Sequence, residues 1–373
     1  MKQADHIGVV EAIFLLWVIL DTNIFLGLPR YFAASGESAM YLLPLFCYLF
    51  LSPILWMIIR LRAYHPQLIF TEIPGKLWGQ WASTLLAWFV AIFFAFSTGN
   101  YLRQFVSLIN DAILPLSPAS YLIIPFVFAI AFGAYHGAES ISRANYLLLP
   151  ITLGGYLLLL GSAYIIGEPS FATPFFGPGL DRLFWGGLYR VPYFLEIVIL
   201  TVLFPHFRSN KQFRQVIWYG TFLNVLLLAL GLLAYALNFP PTNTQNVGFP
   251  LFQLSRNIYF GRYLQRVEAL FTFIWVIMSI FKMSLSLYAG SIAFARGIGA
   301  PFYQPYVPPM AVLTVVFCFL APNYLTALEW EWGILRYAST VPFVAFLSLL
   351  LVASYWQAQK KSAAPRGRTP STP

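Results

Sequence analysis

Apolar stretches of about 20 residues recur from one end of this chain to the other, and that recurrence fixes what it can fold into. A helix of that length spans a hydrocarbon layer of about 30 Å, where each backbone polar group must find its partner inside the helix. Of the 373 residues, 59% are hydrophobic, 18% aromatic and only 9% charged, whereas a soluble domain carries roughly 25% charged residues. A water-soluble globule is excluded, and the chain reads as an all-α polytopic membrane protein.

Apolar windows fall at 7–28, 39–59, 81–109, 119–135, 146–167, 187–207, 216–239, 267–295, 307–325 and 337–356, about ten membrane segments in all. The first holds Asp21 and Asn23 and is followed by no small-residue cleavage pattern, so it reads as a retained span rather than a secretion signal. The 22 Lys and Arg against 13 Asp and Glu do not point to nucleic acid, because they gather in the short connections. Arg60, Arg62, Lys76, Arg143, Arg208, Lys211, Arg214, Arg296, Lys360, Lys361, Arg366 and Arg368 all fall on one side of such a ladder. The positive-inside rule makes that side, and both termini, cytoplasmic. Trp78, Trp81, Trp185, Trp218, Trp330, Trp332 and Trp356 stand near segment ends as interfacial anchors. Residues 357–373, rich in Lys, Arg, Ser and Pro, read as a disordered basic tail. Cys47 and Cys318 lie in separate apolar runs and imply neither a disulfide nor a metal cluster.

The long connection 168–185 cuts the series in the middle. One transmembrane domain, 1–356, is thus expected to hold two halves of five segments, about 7–167 and 183–356, arranged as inverted repeats. In such folds the first helix of each half is broken at mid-membrane, and the exposed backbone holds the ligand. Asp21, Thr22 and Asn23 followed by Gly27 and Pro29 mark one candidate break; Gly186, Gly187 and Pro192, followed by Glu196, mark the other.

A charge at the bilayer centre costs about 2.5 to 3.5 kcal/mol on insertion scales, so an intramembrane ionisable group is by default a functional one with a partner. Lys282, Glu196 and Asp21 meet that test, and Lys282 would balance either Glu196 or Asp21. Its roles are a protonatable amine replacing a coupling cation, a fixed ammonium donating to freed carbonyls of the first helix, or a static ion pair that specifies packing. Thr98, Gly99, Asn100 and Tyr101 form a polar patch that either lines a cavity or packs helices. Arg103, Glu11 and Arg30 read as interface residues. His6, His65, His136 and His206 lie at segment ends or in loops with no metal-pair spacing. No phosphate loop, nucleophile elbow or paired-carboxylate motif is present, so the reading is not an enzyme and needs no cofactor.

Six strings in order resemble the spore germination permease family, the GerAB-like B subunits of endospore nutrient germinant receptors, within the amino acid-polyamine-organocation superfamily. They are FLGLPR at 25–30, HPQLIFTEIPGKLWG at 65–79, HGAESISRAN at 136–145, Glu196 followed by FPHFRSNKQFRQ at 204–215, FPLFQLSRNI at 249–258 and QRVEALFTFIWV at 265–276. The resemblance implies ten helices in a five-plus-five inverted-repeat fold like that of amino-acid transporters such as LeuT. It also implies the spore inner membrane, an A subunit and a lipoprotein C subunit as partners, and a small, often amino-acid, germinant. Where the superfamily often has a Gly-rich break, this chain has Asp21-Thr22-Asn23-Ile24-Phe25, and Lys282 stands near where sodium-site hydroxyls would be, which disfavours sodium coupling.

On that resemblance the expected function is a germinant-sensing, permease-like subunit that binds its ligand between the broken first and sixth helices and signals to its partners. The ligand carboxylate is expected to meet amides near Thr22, Asn23 and Ile24, and its ammonium the carbonyls near Tyr193 or Phe194, with Tyr101 and Phe194 flanking its side chain and Thr98 nearby. Asp21, Glu196 and Lys282 are the expected coupling or gating groups. The alternative is a secondary transporter for an amino acid or polyamine, proton-coupled through Lys282 or Glu196.

Overall fold

The computed structural model describes residues 6–259 and 267–363, and these are helical almost throughout. Seven helical stretches are long and apolar enough to cross a membrane: Leu28–Tyr64, Gln80–Ala112, Ala119–Ile166, Leu180–Val202, Asn210–Asn238, Glu268–Gly297 and Tyr324–Lys360, with Gln304–Leu320 shorter. All ten expected segments fall on helix, but their boundaries differ from the apolar windows in instructive ways.

The first segment is split. Helix α1 (Val9–Asp21) gives way to a 3-10 turn at Thr22–Phe25, and α2 (Leu28–Gly36) restarts with Pro29 in its first turn, where a missing N–H costs nothing. The cause is local: Asp, Thr and Asn compete for backbone hydrogen bonds, and Thr22 Oγ1 donates back to the Val18 carbonyl. Helix α3 (Leu43–Tyr64) and helix α4 (Gln80–Ala112) follow.

The fourth and fifth segments form a single run, α5 (Ala119–Ile166), folded back on itself at Gly137, whose φ of 88° suits glycine alone. Its descending arm passes Trp275 at the level of Phe126, which packs with Phe105 on that tryptophan, and reaches Ser284 at Gly133. The returning arm meets Ile274 at Gly155. The expected ten-residue connection at 136–145 is therefore one residue long.

In the second half, α6 (Leu180–Arg190) passes into an eight-residue 3-10 segment, Val191–Val198, before the short α7 (Ile199–Val202). A 3-10 run of that length is uncommon, and Pro192 opens it. Gly186 and Gly187, expected to mark the break, lie inside α6; Gly187 lets that helix approach the backbone of α3 at Phe46 and Cys47. Helix α8 (Thr221–Asn238) leads through a short helix at Pro250–Asn257 to α9 (Val267–Gly297) and α10 (Val307–Leu320).

The last segment was expected at 337–356. It starts earlier, as α11 (Tyr324–Glu329), passes through a π-helical turn at Trp330–Leu335 and continues as α12 (Arg336–Ala363). The helix thus runs seven residues past 356, into the stretch 357–373 expected as the tail, and 364–373 lie outside the described residues, as do Gln265 and Arg266 of the last motif. Trp332 is not an interfacial anchor, because it is fully buried, whereas Trp81, Trp185 and Trp356 face outward.

Long-range bonds gather the connections at two ends. At one end the Ile7 amide donates to the His206 carbonyl, Arg62 donates to the Phe204 and Phe207 carbonyls, His65 pairs with Ser354, and Arg296 with Glu72. At the other, Arg190 meets Ser35, Arg103 meets the Pro322 carbonyl and Tyr31 that of Leu328.

Candidate functional site

The two 3-10 segments face α9 in the middle of the bundle, and there the charged side chains meet. Lys282 Nζ lies 2.5 Å from Glu196 Oε2 and donates to the Ile19 carbonyl at 2.9 Å and to Asn23 Oδ1 at 2.8 Å. Asn23 Nδ2 donates to the same Glu196 oxygen at 3.0 Å. The amide that would ordinarily bond the Ile19 carbonyl is that of Asn23, which already belongs to the 3-10 turn, and a helix that tightens in this way frees a carbonyl. The lysine ammonium thus donates to a carbonyl at the break in the first helix.

The network continues past Glu196. Its Oε1 accepts from Arg336 Nη2 at 2.6 Å, and that guanidinium reaches Glu331 Oε1 through Nη2 at 2.6 Å and Nε at 2.9 Å. Ser97 Oγ donates to Glu331 Oε1 at 2.8 Å. Lys282, Glu196, Arg336 and Glu331 are each at most 2% exposed, and they alternate in sign, so the tetrad is neutral. Neutrality and mutual hydrogen bonding are what allow four ionised groups to sit in hydrocarbon, where an isolated charge is expensive.

Tyr101 covers this cluster. Its ring lies 5.0 Å from the Lys282 ammonium, and its hydroxyl pairs with Ser279 Oγ at 3.0 Å, accepts from Trp275 Nε1 at 3.3 Å and reaches the Thr22 carbonyl at 3.4 Å. One tyrosine thus joins α4, the first break and α9.

Of the expected residues, Asn23, Tyr101, Glu196 and Lys282 come together. Thr22 takes part through its carbonyl, while its hydroxyl and that of Thr98 bond back to their own helices. Ile24 faces α8 at Gly231. Phe194 lines a narrow apolar crevice with Leu51, Ile54 and Phe343 rather than facing Tyr101. Tyr193 packs among Tyr31, Phe32, Trp332 and Tyr337. Asp21 is not bonded to Lys282: its Oδ2 accepts from Trp17 Nε1 at 2.8 Å, on a face shared with Tyr156. Arg336 and Glu331 were missed because the apolar window of the last segment begins after them. The structure starts that helix at Tyr324 instead, which leaves both inside it.

A helical bundle broken in the first segment of each half, with charged side chains packed at the breaks, has a LeuT-like fold. The solved structure of MhsT in complex with L-phenylalanine superimposes on it with a TM-score of 0.66 over 95% of this chain and 89% of that one, at 14% identity. The chain belongs to the spore germination protein family, whose model matches residues 6–323. Relatives include spore germination protein KB of Bacillus subtilis, 21% identical over 78% of this chain and 79% of KB, and the putative spore germination protein YfkT of the same organism, 26% identical over 63% of this chain and 64% of YfkT. Spore germination protein XB of Bacillus anthracis is 23% identical over 47% of this chain. The matched stretch spans about half the length of XB and just under two thirds of YfkT.

Proposed function

We propose that this chain is the germinant-sensing, permease-like subunit of a spore nutrient receptor in the spore inner membrane, working with an A subunit and a lipoprotein C subunit. The observation that carries the reading is the Lys282 ammonium lodged in the break of the first helix, bonded at once to the Ile19 carbonyl, Asn23 and Glu196. The ammonium of an amino-acid-like ligand has the same charge and donor count as the lysine head. Arriving between the two breaks, it competes for those acceptors, while its carboxylate takes the backbone amides near Thr22, Asn23 and Ile24 and the lysine itself. A ligand that binds one arrangement of these groups better than the other shifts the equilibrium of the bundle by that difference, and the partner subunits read the shift.

The same lysine also supports a second reading. A buried amine that can exchange its proton takes the place of a coupling cation, which would make the chain a proton-coupled amino acid or polyamine transporter.

The test is binding and uptake of a labelled amino-acid panel led by L-alanine, in proteoliposomes holding only this chain, with and without a pH gradient. Saturable binding without accumulation is the expected result, and gradient-driven accumulation would establish transport instead. Lys282→Ala, recovered as folded protein, should lose the response; an unchanged response removes Lys282 from the mechanism.

A further inference from the structure

Arg190 closes α6 at the end of the bundle opposite Ile7 and His206, where the outer part of the sixth segment meets α2 and α12. It is only 6% exposed, yet no carboxylate among the described residues lies within ion-pair distance of it. Hydroxyls surround it instead. Its Nε donates to Ser35 Oγ at 2.9 Å, and its Nη1 donates to Tyr193 at 2.6 Å and to Tyr337 at 3.3 Å. The rings of Tyr31, Tyr189 and Tyr193 stand 5.8, 4.9 and 5.2 Å from its guanidinium carbon.

Among the described residues the other deeply buried cations have their charge or donors met: Lys282 and Arg336 pair with carboxylates, although Arg336 Nη1 has no partner, and Arg62 donates to the Phe204 and Phe207 carbonyls and Asn210. Among the described residues Arg190 has no carboxylate partner and makes no hydrogen bond through Nη2. The hydroxyls of Tyr193 and Tyr337, which accept from the guanidinium, stand beside each other, and Tyr337 also meets Tyr189. An uncompensated guanidinium with a free Nη2 among aromatic rings can donate to an oxyanion oxygen, and its charge suits a carboxylate.

We propose that Arg190, Tyr193 and Tyr337 form an outer binding site for a carboxylate, which captures an amino-acid ligand before it reaches the breaks. The amino-acid identity of that ligand rests on the function proposed above; the anion site itself does not. The site is wired to the centre, because Tyr193 packs edge-on against Trp332 at 5.0 Å, and Trp332 stacks under Arg336 at 4.8 Å. It also bridges α6 to α2 through Ser35 and to α12 through Tyr337, so an anion held there draws the outer parts of three segments together.

The experiment uses trifluoroacetate as the probe, followed by fluorine NMR with the full chain in nanodiscs of zwitterionic lipid. Wild type should broaden the fluorine line saturably, and acetate should compete. Arg190→Gln should weaken the probe about tenfold or more, the loss of a charge-assisted hydrogen bond. Tyr337→Phe, which keeps the ring, should weaken it less. Equal broadening by wild type and Arg190→Gln overturns the proposal. Should Arg190→Gln not fold, Tyr337→Phe and Arg190→Lys carry the test, and probe binding unaffected by both overturns it equally. Loss of the probe in nanodiscs containing phosphatidylglycerol would show that the site takes a lipid phosphate, and would overturn the free-carboxylate assignment. A failure of the amino-acid panel with this anion site intact would count against the central reading alone.

Discussion

Lys282 and Glu196 stand 86 positions apart in the chain and 2.5 Å apart in the fold, and each is tolerable in hydrocarbon only because of the other. Removing one partner leaves an uncompensated buried charge, which typically costs about 3 to 5 kcal/mol. The tetrad sharpens the expectation. Lys282→Met leaves a net negative cluster and Glu196→Gln a net positive one, whereas the double substitution leaves Arg336 paired with Glu331, still neutral. The double variant should therefore unfold at a higher temperature than either single variant, with a favourable interaction term in the cycle. Thermal unfolding of the four purified proteins in one detergent checks this, and a double variant less stable than both singles would show that the pair is not a unit. The legibility of these residues followed the same physics. A lone charge in the middle of an apolar window is conspicuous, so Lys282, Glu196 and Asp21 were visible, but nothing in the spacing said that Asp21 would turn toward Trp17 and Tyr156 rather than toward Lys282. Arg336 and Glu331 were invisible for the opposite reason: two charges of opposite sign five residues apart look like the edge of a segment, although their ion pair is what allows them inside one.

At the scale of elements, the breaks do the positioning. The first was legible from Asp21 to Pro29, since residues that compete for backbone bonds followed by Gly and Pro rarely continue a helix. The second was legible only through Pro192; the glycines beside it serve close packing against α3 instead. Gly27 shows how tightly the first break is held. A Cβ at that position would stand 1.8 Å from a methyl carbon of Leu328, so the start of α2 is seated directly on α11, next to the π-helical turn that carries Glu331. Gly27→Ala should disturb this seat, costing about 1 to 3 kcal/mol as overpacking usually does. Leu328→Ala should itself cost stability through the cavity it leaves. Because each change makes room for the other, Gly27→Ala with Leu328→Ala should be more stable than the sum of the singles predicts. Ligand binding measured alongside thermal unfolding then separates the seat from the fold: a double variant that regains stability should also regain binding, and strictly additive losses would deny the contact any role in closing the break.

At the scale of the whole molecule, charge and topology converge on one orientation. Ile7 is bonded to the carbonyl of His206, two residues before Arg208 and close to Lys211 and Arg214 in the chain. Arg62 ties the end of α3 to the same turn, His65 ties it to Ser354 near the end of α12, and Arg296 reaches Glu72 across the neighbouring connection. The residues of the first segment, the ends of the second and sixth, the connection after the eighth and the late part of the last helix thus share one end of the bundle, and they carry most of the chain's connecting Lys and Arg. Short basic connections stay on the cytoplasmic side during insertion, so that end should face the cytoplasm and the Arg190 end should face outward. Green fluorescent protein fused after residue 363 should therefore fluoresce in a bacterial host, and alkaline phosphatase fused there should be inactive. Alkaline phosphatase inserted in the connection 168–179 should be active, because that stretch bonds through Pro174 to Ser38 and through Phe175 to Tyr41 at the Arg190 end. Phosphatase activity at the C-terminus would invert the molecule, placing the guanidinium of Arg190 on the inside, where it could not meet a ligand arriving from outside. The orientation measurement thus bears on the outer carboxylate site as directly as any substitution within it.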